Sequence, residues 1–241
     1  MQLYLVRHGQ SANNLLWDIS GSSKGRADDP ELTPTGRAQA ELVAKFLTER
    51  KHEPGLGAPA DQNRNGFGIT HVYCSLMVRA VGTGSAIARA AGLSLTAWED
   101  LHEGGGIYID DEATGQPLGR PGKTRAYLLE NFPLLNLPNG QYEHGWYNRP
   151  YETIEQRRER AKRVLCAFKR RQSSSDRIVV ITHGEFYNYF LGEMLGLPNP
   201  PQSPFWFALN NVGVTRIDFQ DNAMVPMYMN RVDFLPTELL T

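Results

Sequence analysis

Apolar residues gather in short runs, and the stretches between them are amphipathic. Residues 2–7 (QLYLVR) are apolar on both faces, as a central parallel strand should be, and the run stops abruptly at Arg7 and His8. Further strands are predicted at 68–75 (GITHVYCS), near 94–98, at 177–184 (RIVVITHG), which is the clearest in the chain, and at 210–219 (NNVGVTRIDF). Helical spacing fills the intervals. In LTPTGRAQAELVAKFLTERK, Thr33 is a natural N-cap and Pro34 suits the first helical position, while Ala40, Val43, Ala44 and Leu47 share one face. A helix around 78–91 contains Gly82 and Gly84, each weakening it by about 1 kcal/mol relative to Ala. Residues 151–172 form a strong helix with Ile154, Ala161, Val164, Leu165 and Phe168 inward, and 185–196 form another.

Two stretches read as loops: 15–32, marked by SGSSKG and DDP, and 52–68, rich in Pro, Gly and Asn. From 104 to 150 the pattern degrades into GGG, TGQPLGRPG and NLPNG with scattered aromatics, an inserted cap or loop region around one short helix. Strands alternating with helices predict an α/β fold, a three-layer α/β/α sandwich with a mostly parallel central sheet, as one domain over 1–241. Ligands of such sheets bind outside the carboxyl ends of the strands. Two strands deliver a His-Gly pair there, His8-Gly9 and His183-Gly184; the strand near 69–74 delivers Ser75 and, a helical turn later, Arg79. If these strands are neighbours, two histidines and two arginines converge.

That set of side chains suits a dianion. Guanidinium groups bind phosphate oxygens bidentately and stay charged, and a neutral imidazole can attack phosphorus. Positive neighbours disfavour imidazolium and so keep the attacking form available. The glycines after each histidine allow the backbone to come close to a ligand. A leaving alkoxide also needs a proton, and Glu103 in DLHEGGG is the candidate donor, with Asp100 and Glu99 as neighbouring alternatives.

Composition narrows the classes of partner. Lys+Arg number 25 against 26 Asp+Glu in 241 residues, so net charge argues for neither nucleic acid nor membrane. Cys74 and Cys166 form no metal spacing or disulfide framework. No apolar run approaches the ~18 residues of a membrane span. Arg7-His8 also interrupts the first apolar run too early for a secretory signal, so the expectation is a cytoplasmic, soluble protein. Homodimerisation stays open. The run QRRERAKR at 156–163 reads as a solvated helix face, and His52, His71, His102 and His144 read as structural or exposed.

Four ordered blocks resemble the histidine phosphatase superfamily, in its phosphoglycerate-mutase-like branch: Arg7-His8-Gly9-Gln10-Ser11 with Asn14, LTPTGRAQA at 32–40, Ser75 with Arg79, Ala80 and Thr83, and VVITHGE. The resemblance implies that His8 is a phosphorylated nucleophile and that Glu103 is the proton donor. It further implies that Arg7, Arg79 and His183 form the phosphate pocket, with Asn14, Gln10 and Gly184 beside it, and that no metal or organic cofactor is needed. Leu76 and Gly82 stand where the family commonly has Pro and Gln, and the acid block lacks a tryptophan-rich continuation. The loop ending GRADDPELT resembles the phosphatase type, so the implied activity is hydrolysis of a phosphorylated small molecule or phosphoprotein. A mutase and an idle binding member are the alternatives. Specificity is expected in 104–150 and 15–31, with Arg120, Lys123, Arg125, Arg149 and the cap aromatics available.

Overall fold

Strand β1 (Gln2–Arg7) runs up the middle of a seven-stranded sheet. It pairs in parallel with β7 (Arg177–Thr182) and antiparallel with β8 (Val214–Gln220). Beyond β7, β2 (His71–Cys74), β3 (Leu95–Ala97) and β6 (Leu135–Asn136) continue in parallel. The coordinates are a computed structural model that describes residues 1–49, 62–140, 142–171, 173–198, 202–220 and 223–241.

Strand alternation sends successive side chains to opposite faces, and this builds three layers. Tyr4 and Val6 of β1, with Val179 and Ile181 of β7, pack under α2 (Pro34–Thr48) and α3 (Val78–Ala91). Leu3 and Leu5, with Ile178 and Val180, pack under α5 (Ile154–Arg170) and α6 (Gly184–Leu195). Both central strands are apolar on both faces because both faces are covered.

Several elements depart from the sequence expectation. A helix, α1 (Ala12–Ser20), occupies the start of the stretch read as loop 15–32. None of its residues is buried; it is held by a capping box between Ser11 and Asn14 and a left-handed Gly21 at its end. Edge strand β9 (Ala223–Arg231) pairs antiparallel with β8 and was not anticipated. The insertion is more than a loop. It contains hairpin β4 (Tyr108–Asp110)–β5 (Pro117–Gly119), the expected short helix α4 (Arg125–Asn131) and edge strand β6. Its Ile107, Leu128, Leu135, Trp146 and Tyr147 join the core beneath α2 and α3. The predicted loop 52–68 lies largely outside the described residues; within the remainder Phe67 is buried.

The helix glycines serve packing. A Cβ on Gly84 would stand 2.8 Å from Leu95 Cδ1, and one on Gly82 would stand 3.1 Å from Leu32 Cδ1. Gly9 and Gly36 matter more, because a Cβ on Gly9 would overlap the Gly36 carbonyl and one on Gly36 would overlap the Gln10 carbonyl. The backbone after His8 therefore lies directly on the first turn of α2. Gly9 serves that approach. Helix propensity alone favours Gly36→Ala by about 1 kcal/mol. The overlap predicts the reverse, a loss of about 1–3 kcal/mol and a Tm lower by several degrees in calorimetry.

Candidate active site

Because β7 lies between β1 and β2, the carboxyl ends of all three strands are adjacent. The ladder continues just past them, with His8 N–H donating to Thr182 O at 3.0 Å and Ser75 N–H donating to Ile181 O at 3.3 Å. The imidazoles of His8 and His183 lie 5.0 Å apart between ring centroids, tilted by 53°. Both are buried.

His8 is held at both nitrogens. Nδ1 lies 2.7 Å from Gly9 O, and Arg79 Nε donates to Nε2 at 3.1 Å. An arginine N–H needs an acceptor, so Nε2 carries the lone pair and the ring proton sits on Nδ1. Burial, Arg79 and Arg7 together hold the pKa of His8 well below the ordinary imidazole value. Nε2 thus belongs to a neutral ring and presents its lone pair to the Arg79 guanidinium. Asn211 Nδ2 secures the His8 carbonyl at 2.8 Å, and Thr83 Oγ1 accepts Gly9 N–H at 3.0 Å.

His183 Nε2 lies 2.7 Å from Ser75 Oγ, and its Nδ1 has no partner among the described residues. With the Ser75 hydroxyl donating, the ring proton sits on Nδ1. Burial, Arg79 and His8 likewise push the His183 pKa well down. Arg7 donates from Nη1 to Leu209 O at 2.5 Å, and its buried Nε is also without a partner among the described residues. An unspent donor, Arg7 Nε, and an unspent ring nitrogen, His183 Nδ1, therefore accompany the Arg79 guanidinium around His8.

Gln10 and Asn14 are engaged with the protein itself. Gln10 Oε1 accepts from Thr33 Oγ1 at 2.8 Å, and Asn14 Oδ1 accepts Ser11 N–H at 3.0 Å within the α1 cap. Gly184 opens α6, where an added Cβ would meet only Arg7 Nε at 3.8 Å.

Glu103 follows a 3-10 turn (Glu99–Leu101), and its Oε1 accepts two backbone N–H groups, Gly104 at 2.9 Å and Phe186 at 3.0 Å. Those bonds tie it to the first turn of α6, beside His183. The alternative acids are committed elsewhere. Glu99 pairs with Arg149 and with Tyr142 OH, and Asp100 accepts from Arg163 at 2.9 Å. His102 is buried against Trp146 and Tyr147, and its Nδ1 lies 2.8 Å from Glu103 O.

The run QRRERAKR is not wholly solvated. Arg157 and Arg160 are buried on α5, while Ile154, expected inward, is 37% exposed. Arg160 makes a bidentate pair with Glu152 at 2.7 and 2.6 Å and donates from Nη1 to Asp100 O and His102 O, fixing the backbone that presents Glu103. Arg157 pairs with Glu185. Their spacing shows this, because 157, 160, 161, 164 and 168 form one stripe. The cap cations also have partners: Arg120 with Asp28, Lys123 over Tyr127, Arg149 with Glu99, and Arg125 Nη1 on Pro138 O. Among the described residues no three His, Cys, Asp or Glu side chains gather to hold a metal, and no helix is long and apolar enough to cross a membrane.

Asp29, hidden in the DDP stretch read as loop, is buried under the site. Its Oδ1 accepts Val78 N–H at 3.1 Å, capping α3 from another segment, and lies 3.9 Å from Arg79 Nη1. It positions the helix turn and the guanidinium that meet His8.

A buried His-Arg cluster at the carboxyl ends of parallel strands defines the class to which this fold and site belong. The chain is a member of the histidine phosphatase superfamily (branch 1), whose sequence model matches residues 3–54 and 119–231. That membership places it among phosphatase and mutase enzymes. It is 26% identical over 222 residues to the "Probable phosphoglycerate mutase GpmB" of Photorhabdus laumondii subsp. laumondii, spanning 91% of this chain and 86% of that protein. The protein of the same name from Yersinia enterocolitica is 24% identical, spanning 92% of this chain and 86% of its own length. A phosphoserine phosphatase from Entamoeba histolytica superposes with a TM-score of 0.59 at 21% identity, covering 98% of this chain and 99% of that one. A mycobacterial glucosyl-3-phosphoglycerate phosphatase gives 0.57 at 17% identity, covering 96% and 99%. These structural likenesses are statements about the fold.

Burial raises the Asp29 pKa from 3.8 to about 6, against the pull of Arg79. The folded state thus holds this proton more tightly than the unfolded chain does. The resulting stabilisation is complete below 3.8 and is lost as pH rises through about 6. Asp29→Asn should therefore gain Tm relative to wild type at pH ~7.5 more than at pH ~4. Loss of the Arg79 anchor should meanwhile lower kcat/KM at least about tenfold. Thermal melts at both pH values, with steady-state kinetics, check the two signs together.

Proposed function

We propose that the protein is a phosphomonoesterase that hydrolyses a phosphorylated small molecule through a phosphohistidine on His8, without a metal. The observation that carries this reading is the tautomer of His8, a neutral imidazole whose Nε2 lone pair faces the Arg79 guanidinium. In the reaction a phosphate oxygen takes over the Arg79 Nε–H that now covers Nε2. Arg7 Nε and His183 Nδ1 take further phosphate oxygens. His8 Nε2 then bonds to phosphorus as the ester P–O bond breaks, and Glu103 gives its proton to the departing oxygen. In the second half, water attacks the phosphohistidine while Glu103 takes its proton, releasing phosphate and restoring neutral His8.

Hydrolysis is favoured over transfer by the GRADDPELT loop, which resembles the phosphatase type. The mutase alternative is favoured by the printed names of the curated relatives. The two readings separate on 3-phosphoglycerate, where a mutase isomerises faster than it releases phosphate. The setting proposed is the cytoplasm and the partner a phosphorylated metabolite.

Chelator-treated protein should hydrolyse p-nitrophenyl phosphate, and His8→Ala should lower kcat by about a thousandfold or more. Equal turnover by the two proteins contradicts the mechanism. Since the His8 pKa is held well below 6.5, the nucleophile stays unprotonated as pH falls through that value. In the Asp29→Asn protein, from which the carboxyl that titrates at about 6 is gone, kcat/KM corrected for substrate ionisation should therefore show no acidic limb near 6.5. A pH–rate profile that falls there as one proton is bound would overturn the assignment.

A further inference from the structure

Glu185 has no part in the steps above, yet its carboxylate shares the surroundings of Glu103. A Cβ on Gly104 would overlap Glu185 Oε2, and Glu103 Oε1 is bonded to the N–H of Phe186, the next residue along α6. The two carboxyl groups therefore stand side by side, one from the acid loop and one from the first turn of α6. Arg157 of α5, only 9% exposed, ion-pairs with Glu185 and lies over the Tyr151 ring.

We propose that the proton delivered to the leaving oxygen is held jointly by the Glu103–Glu185 carboxyl pair, with Glu185 as the positioning residue and Arg157 fixing it. This rests on the phosphomonoesterase reading of the same site. The physical reason is that adjacent carboxylates do not both ionise readily in a half-buried wall, so the pair retains one proton. Burial and the charge of Glu103 push the Glu185 pKa up, against the pull of Arg157.

Other groups around the pair set the balance. Arg7 from β1 and Arg79 from α3 act on Glu103. Glu152, ahead of α5, acts on Glu185 but is matched by Arg160, and Tyr189 of α6 faces Glu185 and Arg157. A bound phosphate draws on Arg7 and Arg79, which leaves two carboxyl groups facing one arginine and favours the shared proton. Two backbone N–H groups occupy Glu103 Oε1, so Oε2 is the oxygen left to pass the proton on. The Oε2–H bond breaks as the ester P–O bond breaks, and the new O–H bond forms on the leaving oxygen. The water that attacks the phosphohistidine later returns a proton to the pair.

The test compares a substrate that needs the acid, glycerol 2-phosphate, with one whose leaving group departs as an anion, p-nitrophenyl phosphate. Glu185→Gln removes the neighbouring negative charge. The basic limb of the kcat/KM profile for glycerol 2-phosphate should then move down by about one pH unit, and the ratio of alkyl to aryl kcat should fall about tenfold. Arg157→Gln should move the same limb upward, and this opposite sign remains informative if Glu185→Gln folds poorly. Equal loss on both substrates in Glu185→Gln, or limbs that stay in place in both variants, would overturn the proposal. A wild type that hydrolyses neither substrate, or a His8→Ala protein that matches it, would instead sink the underlying phosphomonoesterase reading.

Discussion

The hydrogen bond from Arg79 Nε to His8 Nε2 is the interaction around which the site is organised. It requires a lone pair on Nε2 and therefore a neutral ring, and the buried positive surroundings keep the ring neutral. On the phosphomonoesterase reading the same guanidinium is the group a dianion would claim, so one side chain would both select the tautomer of the proposed nucleophile and mark where its electrophile sits. Two other side chains are held beside this contact by partners of their own. His183 is turned by Ser75 so that its Nδ1 is left over, and Arg7 is anchored on Leu209 O so that its Nε is left over.

The fold exists to hold that contact in register. Parallel pairing of β1 with β7 and of β7 with β2 fixes the level at which His8, His183 and Ser75 emerge. The backbone contact between Gly9 and Gly36 then sets the path of the chain after His8. Asp29 ties α3, and hence Arg79, to a loop from the other end of α1. On the far side, Arg160 collects Glu152 and the carbonyls of Asp100 and His102, so the acid loop is fastened to α5 as well as to β7, whose Thr182 Oγ1 donates to Leu101 O.

Much of this was legible in the chain. QLYLVRH and RIVVITHG announce strands apolar on both faces that end in chemistry, and strand ends in parallel sheets are where ligands bind. Thr33-Pro34 announces α2. The missed elements are those that apolar periodicity does not mark. Helix α1 rests on a capping box and buries no side chain, so its pattern looks like loop. Strand β9 lies at an edge, contains Pro226 and has no buried face. Asp29 looked like turn composition because its role depends on a distant N–H. Arg157 and Arg160 looked like solvated charge because their partners, Glu185 and Glu152, lie outside the helix that carries them. Their place on the apolar stripe was the available signal, and it was outweighed by their charge.

The central claim is that His8 Nε2 attacks phosphorus, and the most direct test is to trap the product of that attack. Chelator-treated protein is mixed with p-nitrophenyl phosphate, quenched in alkali, where a phosphohistidine survives, and its intact mass measured. The account predicts one added phosphoryl group that is lost on acidification, maps to His8 and is absent in His8→Ala. A phosphoryl group on another residue, or equal labelling of His8→Ala, contradicts it.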